Sequence, residues 1–201
     1  MIREARSFYD IKHYTAITVE PTVWPIGIEE AKLSARISGS DEDSLIERYV
    51  KLATKQVEID SRRALLTQTI ALYLDQFPGR TIYLERPPVQ SVSTIRYVDT
   101  DGTTQTLSST LYTTDLASEP CRITPAYGQT WPFTRFQTNA VTVTFVAGFT
   151  GQEFVPEFAK HAIALLVGEW YRNREATGTM QGELQFSYSA CVSRLSWGIY
   201  V

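Results

Sequence analysis

Reactive side chains are scarce in this chain. Its 201 residues include only two histidines, His13 and His161, and two cysteines, Cys121 and Cys191. The cysteines form no Cys-x-x-Cys pair, which removes the common redox and zinc motifs. They read as small buried hydrophobes of a protein kept in a reducing compartment. The histidines have no partner at metal-ligand spacing. His161 falls in an apolar helical stretch and is expected to be a hydrogen-bonded core or interface residue. Also missing are a Gly-x-Ser-x-Gly elbow, a Walker loop and a dinucleotide glycine pattern. Gly148-Phe-Thr-Gly151 is too short and wrongly placed to cradle a phosphate and reads as a strand-to-helix turn. With no carboxylates clustered near these groups, acid–base or nucleophilic catalysis has few candidates. The expectation is a protein with no catalytic residues, no metal site and no cofactor.

Basic excess is missing too. Nineteen Lys and Arg face 22 Asp and Glu, a net charge of −3, so the chain as a whole offers no surface for gripping nucleic acid. No apolar run approaches the roughly 20 residues of a membrane span. The first ten residues lack the apolar core of a secretory signal, and the expected site of synthesis is the cytoplasm. What is present is ordinary globular material, 43% hydrophobic and 20% charged, enough for one domain or a domain with a subdomain.

Helical signals lie at both ends of the chain. Residues 28–36 form a short helix with Glu29 and Glu30 at its positive pole. The next helix begins at Ser40-Asp-Glu-Asp43, where Ser40 and Asp43 fit a capping box. Its apolar stripe is two rows wide: Leu45, Tyr49 and Leu52 beside Ile46, Val50, Ala53 and Val57. It fades near Arg63, and Arg62-Arg63 complements the negative end of the dipole. A third helix opens at Val155-Pro156 and runs to Glu175, with Pro156 at the favoured first position. Its segment 162–168 is apolar nearly all round, so it is expected to be central or sandwiched between neighbours.

Between these helices the pattern is β. Residues 68–74, 80–84, 92–98 and 140–146 carry strand signals, and 112–116 and 122–124 weaker ones. Pro87-Pro88 interrupts the ladder. Asp101-Gly102 folds 92–98 back onto 103–107 as a hairpin. Asp99-x-Asp101-Gly102 opens like a calcium loop, but position twelve is Thr110 rather than glutamate, so it reads as a turn. Trp131-Pro132-Phe133 with Phe136 could stack on bases. With little positive charge nearby, an ordered loop packed on the core or on a neighbouring subunit is the preferred reading.

Several segments, in this order and spacing over residues 19–175, resemble the head–tail connector proteins of tailed bacteriophages, also called head-completion or adaptor proteins, with relatives in prophages and gene transfer agents. They are Ile28-Glu-Glu-Ala-Lys32, Asp41-Glu-Asp43 with Leu45-Ile46, Val57-Glu58, Arg63-Ala-Leu65 and Thr67-Gln-Thr69. Arg86-Pro-Pro-Val-Gln-Ser-Val92, Tyr97-Val-Asp-x-Asp-Gly102, Trp131-Pro132, Val141-x-Val-x-Phe-x-Ala-Gly148, Val155-Pro156 and Trp170-Tyr-x-Asn-Arg174 continue the series. The first 18 residues and the stretch after Gly182 depart from the pattern.

The resemblance implies an α+β fold: a bundle of three or four helices carrying a β-rich insertion with the Asp-Gly hairpin. It divides the chain into an N-terminal extension (1–24), bundle helices (25–66), the β-rich insertion (67–150), the long bundle helix (151–176) and a flexible break with a partner-docking tail (177–201). It implies a structural virion protein in the neck, a homo-oligomeric, dodecameric ring beneath the portal protein. A stopper or tail-completion protein would sit on its tail side, and DNA would pass through without sequence-specific binding. The expected partner contacts are Trp170, Tyr171, Arg172 and Arg174, and the tail aromatics Phe186, Tyr188, Trp197 and Tyr200, because aromatics and arginines anchor interfaces; the alternatives are that Trp170 and Tyr171 simply finish the core and that the tail folds back on its own domain. Asp41, Glu42 and Asp43 read most simply as a solvated, capped helix start; the sharper alternative is a set of channel-facing acids that would keep DNA sliding. The alternative reading is a cytoplasmic, non-enzymatic homodimeric binding module that recognises its partner through the β-rich part.

Overall fold

A computed structural model of the chain describes residues 13–173 and 182–196. Its element order is β1 (His13–Val19), α1 (Ile28–Ala35), α2 (Asp43–Ser61), β2 (Gln68–Leu74), β3 (Ile82–Leu84), β4 (Val89–Val98), β5 (Thr104–Thr106), β6 (Tyr112–Asp115), β7 (Cys121–Pro125), β8 (Val141–Ala147), α3 (Glu157–Arg172) and α4 (Gly182–Leu195). The fold is α+β. Contacts divide it into a helical unit, Pro21–Thr67 with the segment beginning at Gly148, and a β unit, Gln68–Ala147 with the segment ending at Glu20.

In the helical unit α3 is the central element and packs on α1, α2 and α4. The apolar spacing produces this arrangement. Ala159, Ala162, Ile163, Leu166 and Val167 of α3 are buried, as are Ile46, Val50, Ala53 and Val57 of α2. The second row of α2 is not: Leu45 and Tyr49 are half-buried and Leu52 is exposed, so the stripe is one row deep. His161 of α3 is exposed, which removes the core alternative for it and leaves the interface one.

The start of α2 also differs from the capping box. The helix begins at Asp43 behind Glu42, with no side-chain cap. Asp43 instead accepts a 2.9 Å hydrogen bond from Lys32 Nζ of α1. That bond, with Glu29 adding to it, raises the Lys32 pKa above its ordinary value. At the other end, Arg62 closes α2 in the left-handed conformation, φ 57°. The buried Glu58 carboxylate accepts the backbone N–H of Leu65 at 2.7 Å, satisfying a donor just past the helix.

Residues Gly182–Leu195 form a helix. Leu195 and Cys191 of α4 join the core cluster, with Tyr188 packed against it. The expected partner-docking tail is, in its described part, a fourth bundle helix.

The β unit contains two antiparallel sheets, ordered β1-β2-β8-β4-β5 and β3-β7-β6. β8 is buried at every second residue, from Val141 to Ala147, and shows threonines on the other face, the period-two pattern of a half-buried strand. Leu72 and Leu74 of the larger sheet and Ile82 of the smaller line one small apolar cavity, so the inner faces meet there. β4 pairs with β5 across the Asp99–Thr103 turn, with Val98 opposite Thr104. The Asp99 carboxylate organises that turn, accepting the N–H groups of Asp101 (3.1 Å) and Thr103 (2.8 Å) and the Gln105 amide (2.9 Å). These bonds occupy both oxygens of the Asp99 carboxylate. The Pro87–Pro88 and Glu119–Pro120 peptide bonds are cis.

Candidate interaction surfaces

The residues expected to meet partners fall into two groups, those held internally and those left outward. Trp170 and Tyr171 end α3 and are half-buried. The Trp170 ring meets Tyr49 edge-on, with centroids 6.0 Å apart and an interplanar angle of 65°. The Tyr171 hydroxyl donates to Glu42 at 2.5 Å. Tyr188 of α4 donates to Asp60 of α2 at 2.6 Å. Burial first, and this bond second, push the Tyr188 phenol well above its usual pKa. These three side chains knit the helical unit, because each ties one helix to another.

Arg172 and Phe186 are exposed. Arg172 donates to the Gly168 carbonyl at 3.1 Å, and its guanidinium lies 4.0 Å from Glu169. Phe186 is 78% exposed. Arg174, Trp197 and Tyr200 lie outside the described residues. Of the three acids, Glu42 and Asp43 are half-buried and engaged by Tyr171 and Lys32, while Asp41 is exposed. The three acids, with Ile37, Ser38, Gly39 and Ile46, line a shallow depression at the α1–α2 turn.

Both cysteines are unpaired and buried, and burial raises both thiol pKa values, which makes them poor nucleophiles. Among the described residues no three His, Cys, Asp or Glu side chains gather as metal ligands, and no helix is long and apolar enough to cross a membrane.

The feature that the expected contacts did not include as a site is the loop from β7 to β8. It is fastened to the β unit at several points. The Trp131 ring stacks flat on Phe77, which in turn tilts against Tyr97. The Trp131 indole N–H donates to the Arg80 carbonyl at 3.1 Å. The Arg135 N–H donates to the Val98 carbonyl at 3.1 Å, and the Asn139 N–H to the Asp75 carboxylate at 2.9 Å. Tyr127, Phe133 and Phe136 on the same loop point outward, exposed at 105%, 87% and 100%. The density of aromatics without charge was the available sequence signal.

No family model matches the chain, and no curated protein matches it in sequence. Solved structures share its fold over nearly its whole length. A chain in the neck of an empty gene transfer agent particle, computed with C6 symmetry, superposes with a TM-score of 0.76 at 20% identity, covering 94% of this chain and 97% of that one. A chain in the virion of a native gene transfer agent particle gives 0.74 at 20% identity, covering 93% and 97%. One in the native neck, computed with C12 symmetry, gives 0.69 at 21% identity, covering 92% and 97%.

Proposed function

We propose that this chain is a non-enzymatic structural protein of the neck of a tailed-phage-like or gene transfer agent particle. In this reading it is the head–tail adaptor: it assembles as a ring beneath the portal protein, receives a stopper or tail-completion protein below, and surrounds the exit path of DNA. The observation that carries the reading is the fold match to neck and virion chains across both units, over more than nine-tenths of each chain. The C6 and C12 symmetry of those necks supports a ring. The net charge of −3 suits a channel that must not hold DNA.

Of the expected contacts, Arg172 and Phe186 are the exposed candidates for a partner, and Asp41 is the acid best placed to face solvent in a channel. Trp170, Tyr171 and Tyr188 act by holding the helices that present them. The test is to delete this gene in the producing cell and image the particles. The reading predicts filled or leaking heads without tails, and attached tails when the gene is restored. Complete tailed particles without the protein would refute it.

A further inference from the structure

We infer that the loop between β7 and β8 is an interface built for a second copy of this chain, with Tyr127, Phe133 and Phe136 of one copy packing on β1 of the next; this rests on the ring reading above. Tyr127, Phe133 and Phe136 all expose their rings on one loop, and large exposed apolar patches mark interaction sites. The loop is also preorganised: Trp131, Arg135 and Asn139 fasten it to Phe77, Arg80, Val98 and Asp75. Little ordering cost therefore remains when it meets a partner. Burying three aromatic side chains removes on the order of 450–750 Å² from water. That is most of the roughly 800 Å² that each partner gives to a standard interface.

Charge decides the class of partner. Platforms that stack on nucleic-acid bases sit in basic grooves. Between Glu119 and Glu153 this chain has no acid, but its only basic residues there are Arg122 and Arg135. Arg122 is already bonded to Asp115. An apolar, nearly uncharged protein surface fits better.

The chain itself carries such a surface. A ring is a head-to-tail assembly, so each copy must offer two different patches that complement each other. β1 is an edge strand, paired among the described residues only with β2. Tyr14, which stacks on Tyr73 on one face of the sheet, is exposed at 64%; Ile17, on the opposite face, and Val19 are exposed at 37% and 57%; the strand from His13 to Val19 holds no Lys, Asp, Glu, Arg or Pro along this edge. Edge strands are normally blunted by such residues. An unblunted edge and an aromatic loop on one chain are the two halves of a heterologous contact.

The test uses the full chain and two readouts. Sedimentation of the wild type and of Y127S/F133S/F136S is compared, alone and with the portal protein. The concentration needed for ring assembly should rise at least about 30-fold in the variant, with its circular dichroism unchanged. Separately, a benzophenone amino acid at position 136 is photolysed in a mixture of isotope-labelled and unlabelled chains. The predicted adduct joins position 136 to residues 13–19 of another copy. A variant that assembles like the wild type, or an adduct to portal, another protein or DNA, overturns this inference alone. A wild type that never forms a ring overturns the proposed function with it.

Discussion

The Trp131 indole lies on the Phe77 ring with centroids 4.9 Å apart and planes 4° from parallel. This stack, with the bond from Trp131 to the Arg80 carbonyl, fixes the aromatic loop to the β unit. Such a ring pair contributes about 0.5–1.5 kcal/mol beyond its buried area, and the hydrogen bond about 1 kcal/mol. Trp131→Ala should therefore cost about 1–3 kcal/mol in a denaturant titration. It should also open residues 126–139 to proteolysis before the rest of the chain unfolds. Unchanged stability and unchanged cleavage would mean that the loop is held by other contacts.

Gly148 sits at φ +102°, and a Cβ there would lie 2.1 Å from the Leu66 carbonyl oxygen. Both groups are backbone, so neither yields easily. Gly148→Ala should cost well over the roughly 1–2 kcal/mol of a strained left-handed residue. Gly39→Ala is the control, because Gly39 is also at positive φ (+87°) but faces open space. Equal losses in the two variants would show that close approach to Leu66 contributes nothing.

Glu58 is a buried carboxylate that caps the chain beyond α2 by accepting the Leu65 N–H. Glu58→Ala removes the acceptor and strands a buried donor, which costs about 1–3 kcal/mol. Glu58→Gln keeps a carbonyl oxygen in reach and should lose less. Thermal melts of the pair give the order, and a Gln variant as unstable as Ala would contradict this role.

The acid limb of stability is set in part by Asp99 and Asp115. The Gln105 amide, followed by the Thr103 N–H, depresses the Asp99 pKa, and the Arg122 guanidinium depresses that of Asp115. Each native pKa lies below the unfolded value of 3.8. Their contribution is therefore fully present above that pH and is lost as pH falls through the depressed native values. Lys32 has the opposite sign. Its native pKa is raised above 10.5, chiefly by the bond to Asp43, so its contribution is present below pH 10.5 and is lost as pH rises through the native value. Stability measured against pH should show both limbs. Asp99→Ala with Asp115→Ala should flatten the acid one, and Lys32→Met the alkaline one. Limbs unchanged by these substitutions would assign the pH dependence to other groups.

Much of the architecture was legible because the apolar spacing was strict. Ile46, Val50, Ala53 and Val57 mark the inner face of α2, and the alternation from Val141 to Phe145 marks β8, both as found. Errors arose where tertiary partners decide. Leu52 fits a helical row as well as Val50 does, but among the described residues no helix covers it. Ser40 and Asp43 have the spacing of a capping box, yet Asp43 is taken by Lys32, eleven residues earlier. The stretch Phe186-Ser-Tyr-Ser-Ala-Cys-Val-Ser193 contains mostly weak helix formers. It is helical because Tyr188, Cys191 and Leu195, spaced three and four apart, reach the bundle core. Because of that packing, removing residues 184–201 would uncover the core as well as any docking surface. Phe186→Ala is the cleaner probe, because the ring is exposed. It should leave the melting temperature within about 2 °C while weakening portal capture.

The interaction surfaces were legible only in kind. Aromatics near the end of α3 looked like anchors, but Trp170 and Tyr171 are used internally against Tyr49 and Glu42. Composition shows how many aromatics a segment carries, and only the fold shows that Trp131 turns inward while Phe133 and Phe136 turn out.

The central claim, a ring-forming adaptor beneath a portal, is tested most directly by the mass of the purified chain in solution, alone and with the portal protein of the same particle. The account predicts a sixfold or twelvefold multiple of 22.7 kDa, or a stable complex of that stoichiometry on the portal. A monomer or dimer whose mass is indifferent to the portal would contradict it.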